Sequence, residues 1–197
     1  GQVSEPTATQ FDAELAKLEK TPLKGLVIDV RGNPGGLLNV TAEMLSRFVS
    51  DKTVVKMRMK DGHSEDVRTF PSLVRKFPYP IAVLQNEDTA SAAEIFAGCL
   101  RDYGMATLVG THTYGKASVQ NLYPVRDGAI AKVTIAKYYL PGGEFIGRKV
   151  DKDGVYVSGG LAPKISAELD LDRDPTLGDP KTDSQLERAI RVITEKG

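Results

Sequence analysis

The sequence predicts an α/β domain in which mixed β-sheets are flanked by helices. Residues 24–48 hold a short apolar run, then a glycine-rich turn, then apolar residues at helical spacing. This strand, loop and helix order is typical of the start of an α/β fold. Residues 118–140 instead alternate between apolar and polar side chains around a turn at 126–128. That period of two predicts a long β-hairpin, so the second half of the chain should contain antiparallel strands.

Helices and strands alternate through the first half of the chain. Phe11, Leu15 and Leu18 recur at helical spacing and predict a first helix over about 7–20, which Pro22 ends. The same reasoning predicts strands at 24–30, 53–59, 67–70, 81–85 and 107–109, and helices over 37–48 and 92–103. The strands at 24–30 and 81–85 each hold a short apolar run, as expected for strands buried on both faces of a sheet.

The end of the chain is less regular. Residues 141–182 are rich in Gly, Pro and Asp and are predicted to be a loop-rich insertion, and a last helix is predicted from about Asp183. A chain of 197 residues has the length of one domain. We therefore expect 1–197 to form a single domain that includes the 141–182 insertion.

Composition excludes several classes of protein. The 26 Lys and Arg residues balance 26 Asp and Glu residues, which argues against a nucleic-acid binder because such a protein needs a basic face. No apolar run approaches the roughly 20 residues that cross a bilayer. Cys99 is the single cysteine, so an internal disulfide and a CxxC-type zinc site are excluded. His63 and His112 are the two histidines, too few for a centre built on three.

Polar residues follow predicted buried strands at 31–36, 86–91 and 110–120. α/β folds build their sites where strands end, so these three segments are the strongest candidates. A fourth candidate is the glycine-rich loop at 159–160.

Ser91 lies between a predicted strand and the predicted helix over 92–103. At a helix N-terminus, free backbone N–H groups and the positive end of the helix dipole favour negative charge that develops beside the serine. Serine is also a preferred helix cap, and Ser91 taken alone fits that role better than a catalytic one. Neither a Gly-x-Ser-x-Gly nor a Ser-x-x-Lys motif surrounds it, since Glu94 stands three residues on.

The segment Gly110–Ala117 partly matches a phosphate-binding P-loop. Its glycine spacing and Lys116 fit, but Ala117 stands where a Ser or Thr must ligate magnesium. A strand is predicted to follow at Ser118, whereas a P-loop opens a helix. Nucleotide binding therefore stays an alternative with incomplete support.

Lys116 could instead act as a general base. A lysine accepts a proton only as the neutral amine, which burial without a neighbouring carboxylate favours. Tyr114, Ala117 and other neighbours of Lys116 carry no acidic group. Gln120 lies four residues on and, on a strand, shares the face of Lys116. Its neutral amide could orient the amine without stabilising the charged form.

Together these segments resemble the carboxyl-terminal processing, or tail-specific, serine proteases. In that family a Ser-Ala-x-Glu-Ile stretch carries the nucleophile, a Gly-Lys segment 25 residues later carries the base, and a glutamine four residues beyond orients it. The matching segments here are Ser91-Ala-Ala-Glu-Ile95, Tyr114-Gly-Lys116 and Gln120. Asp29–Gly36 resembles the family's Asp-Leu-Arg-x-Asn-Pro-Gly-Gly turn, and further matches lie at 101–104, 137–141 and 160–163. The sequence departs from the family pattern at a few positions without losing a catalytic group: Arg101, Ala117, Lys164 and a longer 141–160 segment.

The resemblance implies a ClpP/crotonase-like core and a serine endopeptidase without a cofactor. It makes Ser91 the nucleophile, neutral Lys116 the base and Gln120 the residue that orients the base. The oxyanion hole would consist of backbone N–H groups from Ala92 and from Gly35 or Gly36 of the glycine turn.

The resemblance also implies protein or peptide substrates with accessible C-terminal tails, cleaved near their C-termini. It implies an extracytoplasmic location such as the periplasm, cell envelope or thylakoid lumen. The family places a PDZ domain before this core, so we expect the sequence to be the core of a longer protein without that module. A homo-oligomer and a regulatory or adaptor partner are left open. A non-catalytic peptide- or ligand-binding domain on the same fold remains the alternative.

Overall fold

The computed structural model describes residues 1–195. Within this range the helices are α1 (Thr7–Leu18), α2 (Leu38–Leu45), α3 (Ala92–Asp102) and α4 (Ser184–Thr194). The strands are β1 (Leu26–Asp29), β2 (Thr53–Met59), β3 (Ser64–Arg68), β4 (Ile81–Gln85), β5 (Thr107–Gly110), β6 (Ser118–Pro124), β7 (Ile130–Tyr139), β8 (Lys149–Val150), β9 (Tyr156–Ser158) and β10 (Ile165–Ser166). Short 3-10 turns lie at Pro71–Leu73, Arg126–Gly128 and Leu171–Arg173.

A parallel sheet with the strand order β1-β4-β5-β10 forms the centre of the fold. The residues of β4 are all buried, as its apolar sequence predicts. Ile81 and Val83 belong to the core shared with α1, α2 and α3, whereas Ala82 and Leu84 pack against α4. Because successive side chains of a strand point to opposite faces, this one strand contributes to both layers.

An antiparallel sheet with the order β3-β2-β7-β6 lies beside it, and α3 contacts both β2 and β5. The predicted long hairpin is confirmed as β6 and β7, joined through the turn at Arg126–Gly128. Val119 pairs with Ala136 but Gln120 pairs with Thr134, so Ile135 is an extra residue in β7. Such a β-bulge changes which side chains of the strand share a face.

The observed architecture confirms the predicted α/β class with mixed sheets flanked by helices. The last helix begins as predicted, with Asp183 as its N-cap accepting a hydrogen bond from the Leu186 N–H. The third strand begins at Ser64 rather than at Val67. The first three residues, Ser64, Glu65 and Asp66, are polar and exposed at a sheet edge, so apolar alternation could not reveal where the strand begins.

The 141–182 segment contains the β8–β9 hairpin, β10 and one 3-10 turn. β10 pairs in parallel with β5 and so becomes the edge of the central sheet. The longest helix within residues 1–195, α1, has 12 residues. None of the described helices could therefore span a bilayer, which takes about 20 residues.

Candidate active site

The three segments that the sequence predicted as site-forming meet at the end of the parallel sheet where its strands have their carboxyl termini. They follow β1, β4 and β5, which are neighbouring parallel strands. The Gly32 N–H donates to Asn86 Oδ1 over 2.9 Å, and the Ala90 N–H donates to the Asn33 carbonyl over 2.9 Å. The Tyr114 N–H donates to the Thr89 carbonyl over 3.0 Å. These hydrogen bonds join the three loops into one structure.

Ser91 is the N-cap of α3 and has an unusual backbone conformation. Its φ of 55° and ψ of −119° lie outside the regions that L-residues ordinarily occupy. Such a conformation costs about 1–3 kcal/mol and occurs mainly at functional sites. A serine on a strained turn between a strand and a helix is also the geometry of a nucleophile elbow, although the usual sequence motif is absent. The helix-cap position and a nucleophilic role are thus compatible.

A buried carboxylate, Glu94, joins the segment of Ser91 to that of Lys116. Its Oε1 accepts from the Thr113 hydroxyl over 2.5 Å and from the Gly115 N–H over 2.7 Å. Its Oε2 accepts from the N–H groups of Ser91 and Lys116, each over 2.8 Å. The two amide nitrogens therefore lie within about twice that distance of each other.

Burial raises the pKa of Glu94, while the hydrogen bonds that it accepts oppose this shift. In the sequence, Glu94 stood out as the residue in place of a Ser-x-x-Lys lysine and as part of the Ser91-Ala-Ala-Glu-Ile95 stretch, without a role of its own. The available signal was its position three residues after Ser91, the spacing of a capping box, whose acid accepts from the N-cap N–H.

Lys116 lies two residues before β6 and is half-buried. Within residues 1–195, no carboxylate forms an ion pair with its amine, as the base role requires. The hydroxyl of Tyr138 donates to the Lys116 carbonyl and secures the backbone there. Burial raises the pKa of Tyr138 well above its usual range, so this hydroxyl keeps its proton at neutral pH.

Lys116 and Gln120 both line a cavity of about 630 Å³, although Lys116 lies before the strand that holds Gln120. Ala90, the residue before Ser91, also lines it, but Ser91 does not. No hydrogen bond joins the Ser91 hydroxyl to the Lys116 amine. The structure thus brings the two residues together through their backbones and leaves their reactive atoms uncoupled.

The glycine turn packs directly on the Ser91 segment. Gly35 has a φ of 94°, and a side chain there would place Cβ 2.7 Å from the Ala92 nitrogen and 2.8 Å from Ser91 Cβ. Only glycine allows this approach. The Gly35 N–H already donates to Asn33 Oδ1 over 2.9 Å. In the described part of the chain, the N–H groups of Gly36 and Ala92 make no hydrogen bond.

Arg31 anchors the same turn to the C-terminal helix, a role that sequence analysis missed. Its side chain is 3% exposed, and its NH2 group lies 2.6 Å from both Asp29 Oδ2 and Asp183 Oδ2. Burial alone would raise the pKa of Asp183. Hydrogen bonds from Arg31, the Leu186 N–H and the Gly178 N–H outweigh this effect and lower it to about 2.

The Gly110–Lys116 loop is unsuited to binding a nucleotide phosphate. Its backbone N–H groups at Thr111, Thr113 and Tyr114 donate to protein carbonyls. Those of Gly115 and Lys116 donate to Glu94. A P-loop needs such groups free to hold phosphate oxygens, so the structure contradicts this alternative.

The remaining candidate residues lie apart from this chemistry. His63 and His112 are exposed. Cys99 is buried, donates to the Val54 carbonyl, and has a pKa raised by burial, as expected for a core cysteine. Within residues 1–195, no three His, Cys, Asp or Glu side chains are grouped closely enough to hold a metal ion.

Comparison with known proteins identifies the family. The model of Peptidase family S41 matches residues 2–156. The chain belongs to peptidase family S41. The carboxy-terminal processing protease CtpB of Bacillus subtilis is 36% identical over 179 residues, covering 87% of this chain and 37% of CtpB. CtpA of the same organism is 33% identical over 202 residues, covering 98% of this chain and 41% of CtpA.

Solved structures agree with this S41 assignment. The photosystem II D1 C-terminal processing protease has a TM-score of 0.71 and 27% identity, covering 98% of this chain and 45% of that chain. A lipoprotein from Streptococcus agalactiae has a TM-score of 0.65 at 19% identity, covering 88% of this chain and 62% of that chain, and shows the fold alone. The family predicted from the motifs is thus confirmed. The S41 chain spans about two fifths of the length of the curated relatives.

Proposed function

We propose that this S41 chain is a serine endopeptidase that cleaves protein substrates near their C-termini. The observation that carries the proposal is the hydrogen bonding of Glu94 Oε2 to both Ser91 and Lys116. It supports the proposal because a serine on a strained helix N-terminus is joined to a lysine that, among residues 1–195, has no acidic partner. The relatives named carboxy-terminal processing proteases support the substrate class.

In the proposed reaction, Ser91 Oγ attacks the carbonyl carbon of the scissile peptide bond and its proton passes to neutral Lys116 Nζ. The tetrahedral intermediate collapses when Lys116 returns this proton to the leaving amine, so the C–N bond breaks and an ester to Ser91 remains. Water then loses a proton to Lys116 and attacks the ester. Lys116 reprotonates Ser91 as the product acid leaves.

The backbone N–H groups of Ala92 and Gly36 are the proposed oxyanion donors. Both are unpaired among the described residues, and Ala92 is the first residue of α3, where the helix dipole favours negative charge. Each such donor lowers the activation free energy by on the order of 3 kcal/mol. Gly35 serves instead as the contact surface against Ser91, since its own N–H is held by Asn33.

Gln120 is proposed to orient the Lys116 amine from the neighbouring strand. Hydrogen bonds among catalytic groups are often long before substrate binds. Glu94 already bridges the backbones of Ser91 and Lys116, and the proposal is that rotation of the two side chains couples their reactive atoms.

A serine-directed acylating probe tests the proposal. We expect the wild-type protein to be labelled at Ser91, and labelling to be lost in Ser91→Ala and Lys116→Ala. Ser158→Ala, a change at an exposed serine on β9, is the matched control and should label normally. Mass spectrometry of an unfolded protein substrate should show fragments shortened from the C-terminus. Peptide binding without labelling or cleavage would favour the non-catalytic binding domain.

Substrates with accessible C-terminal tails and an extracytoplasmic location remain parts of this proposal, and cell fractionation tests the location. Light scattering would test a homo-oligomer, and affinity capture from the native host would test a regulatory or adaptor partner.

Assignment of 1–197 to a single domain with a 141–182 insertion is also proposed. Limited proteolysis should then leave the 1–140 segment and α4 associated after any cleavage within 141–182.

A further inference from the structure

The cavity beside the proposed catalytic residues is strongly basic. Among residues 1–195, its lining holds four basic residues and one acidic residue: Lys116, Lys132, Lys137, Arg148 and Asp88. The whole chain has no net charge, so this is a local concentration of basic residues. Among the ion pairs of residues 1–195, none involves any of these four basic side chains.

The β-bulge in β7 brings two of the lysines to the cavity. Without an extra residue, Lys132 and Thr134 would share their face with residue 136. The bulge at Ile135 instead places Lys137 on that face. Thr134 lies directly opposite Gln120 on β6, so the basic side chains share one sheet surface with the proposed orienting residue.

Aromatic rings support two of the cations without neutralising them. Lys137 Nζ lies 5.4 Å from the centre of the Phe145 ring. The Arg148 guanidinium lies 5.2 Å from the ring centre of Tyr114 and 5.3 Å from that of Tyr156. A ring face attracts a cation but leaves its N–H groups available to an anionic ligand.

We propose that Lys132, Lys137 and Arg148, here called the basic patch, bind a carboxylate of the peptide substrate. This inference rests on the proposed function and concerns substrate choice at the same site. The carboxylate can be the free C-terminus or an Asp or Glu side chain, because both present the same two oxygens to Lys and Arg donors. Lys116 is not part of the patch, since a carboxylate beside it would oppose the neutral amine that its role requires.

Binding to the uncleaving Ser91→Ala protein tests the inference apart from catalysis. Three labelled peptides of one sequence are compared by fluorescence anisotropy at low salt. The first has one Glu and an amidated C-terminus, the second has Gln and the amide, and the third has Gln and a free C-terminus. We expect the first or the third to bind about tenfold more tightly than the neutral second peptide.

The ratio of the affinities for the charged and the neutral peptide should fall to about one when Lys132, Lys137 and Arg148 are all changed to Met in the Ser91→Ala background. Lys152→Met, a change at an exposed lysine outside the cavity, should preserve it. If the triple variant melts at a lower temperature, the three single changes are compared, each with a partial loss of preference.

Equal binding of the three peptides, an undetectable affinity for all of them, or a preference that survives the loss of the patch would each overturn the inference. Cleavage is measured separately in protein that retains Ser91. Cleavage without charge preference overturns this inference alone. Charge-dependent binding without cleavage or labelling overturns the proposed function and leaves carboxylate binding supported.

Discussion

The backbone N–H groups of Ser91 and Lys116 donate to a single oxygen atom, Glu94 Oε2, each over 2.8 Å. One residue begins a helix and the other precedes a strand, so no continuous element holds them together. A buried carboxylate accepting from both therefore determines the spacing of the proposed nucleophile and base. This spacing belongs to the backbone and does not require the two side chains to touch.

Glu94→Gln should destabilise the fold by about 3 kcal/mol and reduce peptidase activity. The amide has one acceptor oxygen where the carboxylate has two, so buried N–H donors would lose their partner. Urea unfolding measures the change. Glu144→Gln, at an exposed residue paired with Arg101, is the control and should stay within about 0.5 kcal/mol of wild type. Equal stability of the two variants would contradict the role of Glu94.

Lys116→Arg should be as inactive as Lys116→Ala, each losing on the order of 10³-fold in kcat. Guanidinium remains protonated in proteins and cannot accept the serine proton, although arginine keeps a long basic side chain at this position. Peptide hydrolysis by variants with wild-type melting temperatures is the measurement. Substantial activity in Lys116→Arg would show that another group is the base.

Gln120→Ala should lose about tenfold in rate while Ser91 remains open to acylation, because a misplaced base slows proton transfer without removing the nucleophile. Gln120→Glu should lose more at neutral pH and recover as pH rises, since a carboxylate beside the amine stabilises its charged form. The pH–rate profiles of both variants test this. An unchanged rate in Gln120→Ala would remove Gln120 from the mechanism.

Gly35→Ala should abolish activity and destabilise the fold by more than about 2 kcal/mol, since its Cβ would lie 2.7 Å from the Ala92 nitrogen. Gly32→Ala is a matched control in the same turn, with a φ of 63° but no atom within 4 Å of the added Cβ. It should cost about 1 kcal/mol from backbone strain alone and retain activity. Equal losses of stability and activity in Gly35→Ala and Gly32→Ala, measured by thermal melts and hydrolysis assays, would mean that backbone strain rather than contact with Ser91 causes the loss.

Asp183→Asn should make stability less dependent on pH in the acidic range. The pKa of Asp183 is about 2 in the folded protein, against an ordinary value of 3.8. Its carboxylate therefore stabilises the fold above about pH 4, by roughly 2 kcal/mol, and this contribution is lost as pH falls towards 2.

Urea unfolding of wild type and Asp183→Asn between pH 2 and 6 should give curves that converge at the acid end. Asp153→Asn, at an exposed aspartate, should follow the wild type throughout. If the difference in unfolding free energy between the two proteins does not narrow at low pH, the charge of Asp183 does not stabilise the contact with Arg31.

Local patterns in the sequence determined most of the elements and the identity of the proposed catalytic residues. Apolar periodicity located the buried β4 and the β6–β7 hairpin, and the spacing of Ser91, Lys116 and Gln120 indicated the family. These features depend on residues a few positions apart or on motifs carried by single segments. The start of the edge strand β3 was predicted three residues too late, at Val67 instead of Ser64, because the first residues of the strand are polar.

Only the tertiary structure decided how the site is held. Glu94 accepts hydrogen bonds from residues up to 22 positions away, and Arg31 is joined to Asp183 across 152 positions. The bulge at Ile135 placed Lys137 in the cavity. The Asn33 side chain accepts from the Gly35 N–H, whereas the Gly36 N–H has no partner in the described part of the chain. Periodicity contains no information about such contacts, because they exist only once distant segments exclude water and pair their polar groups with each other.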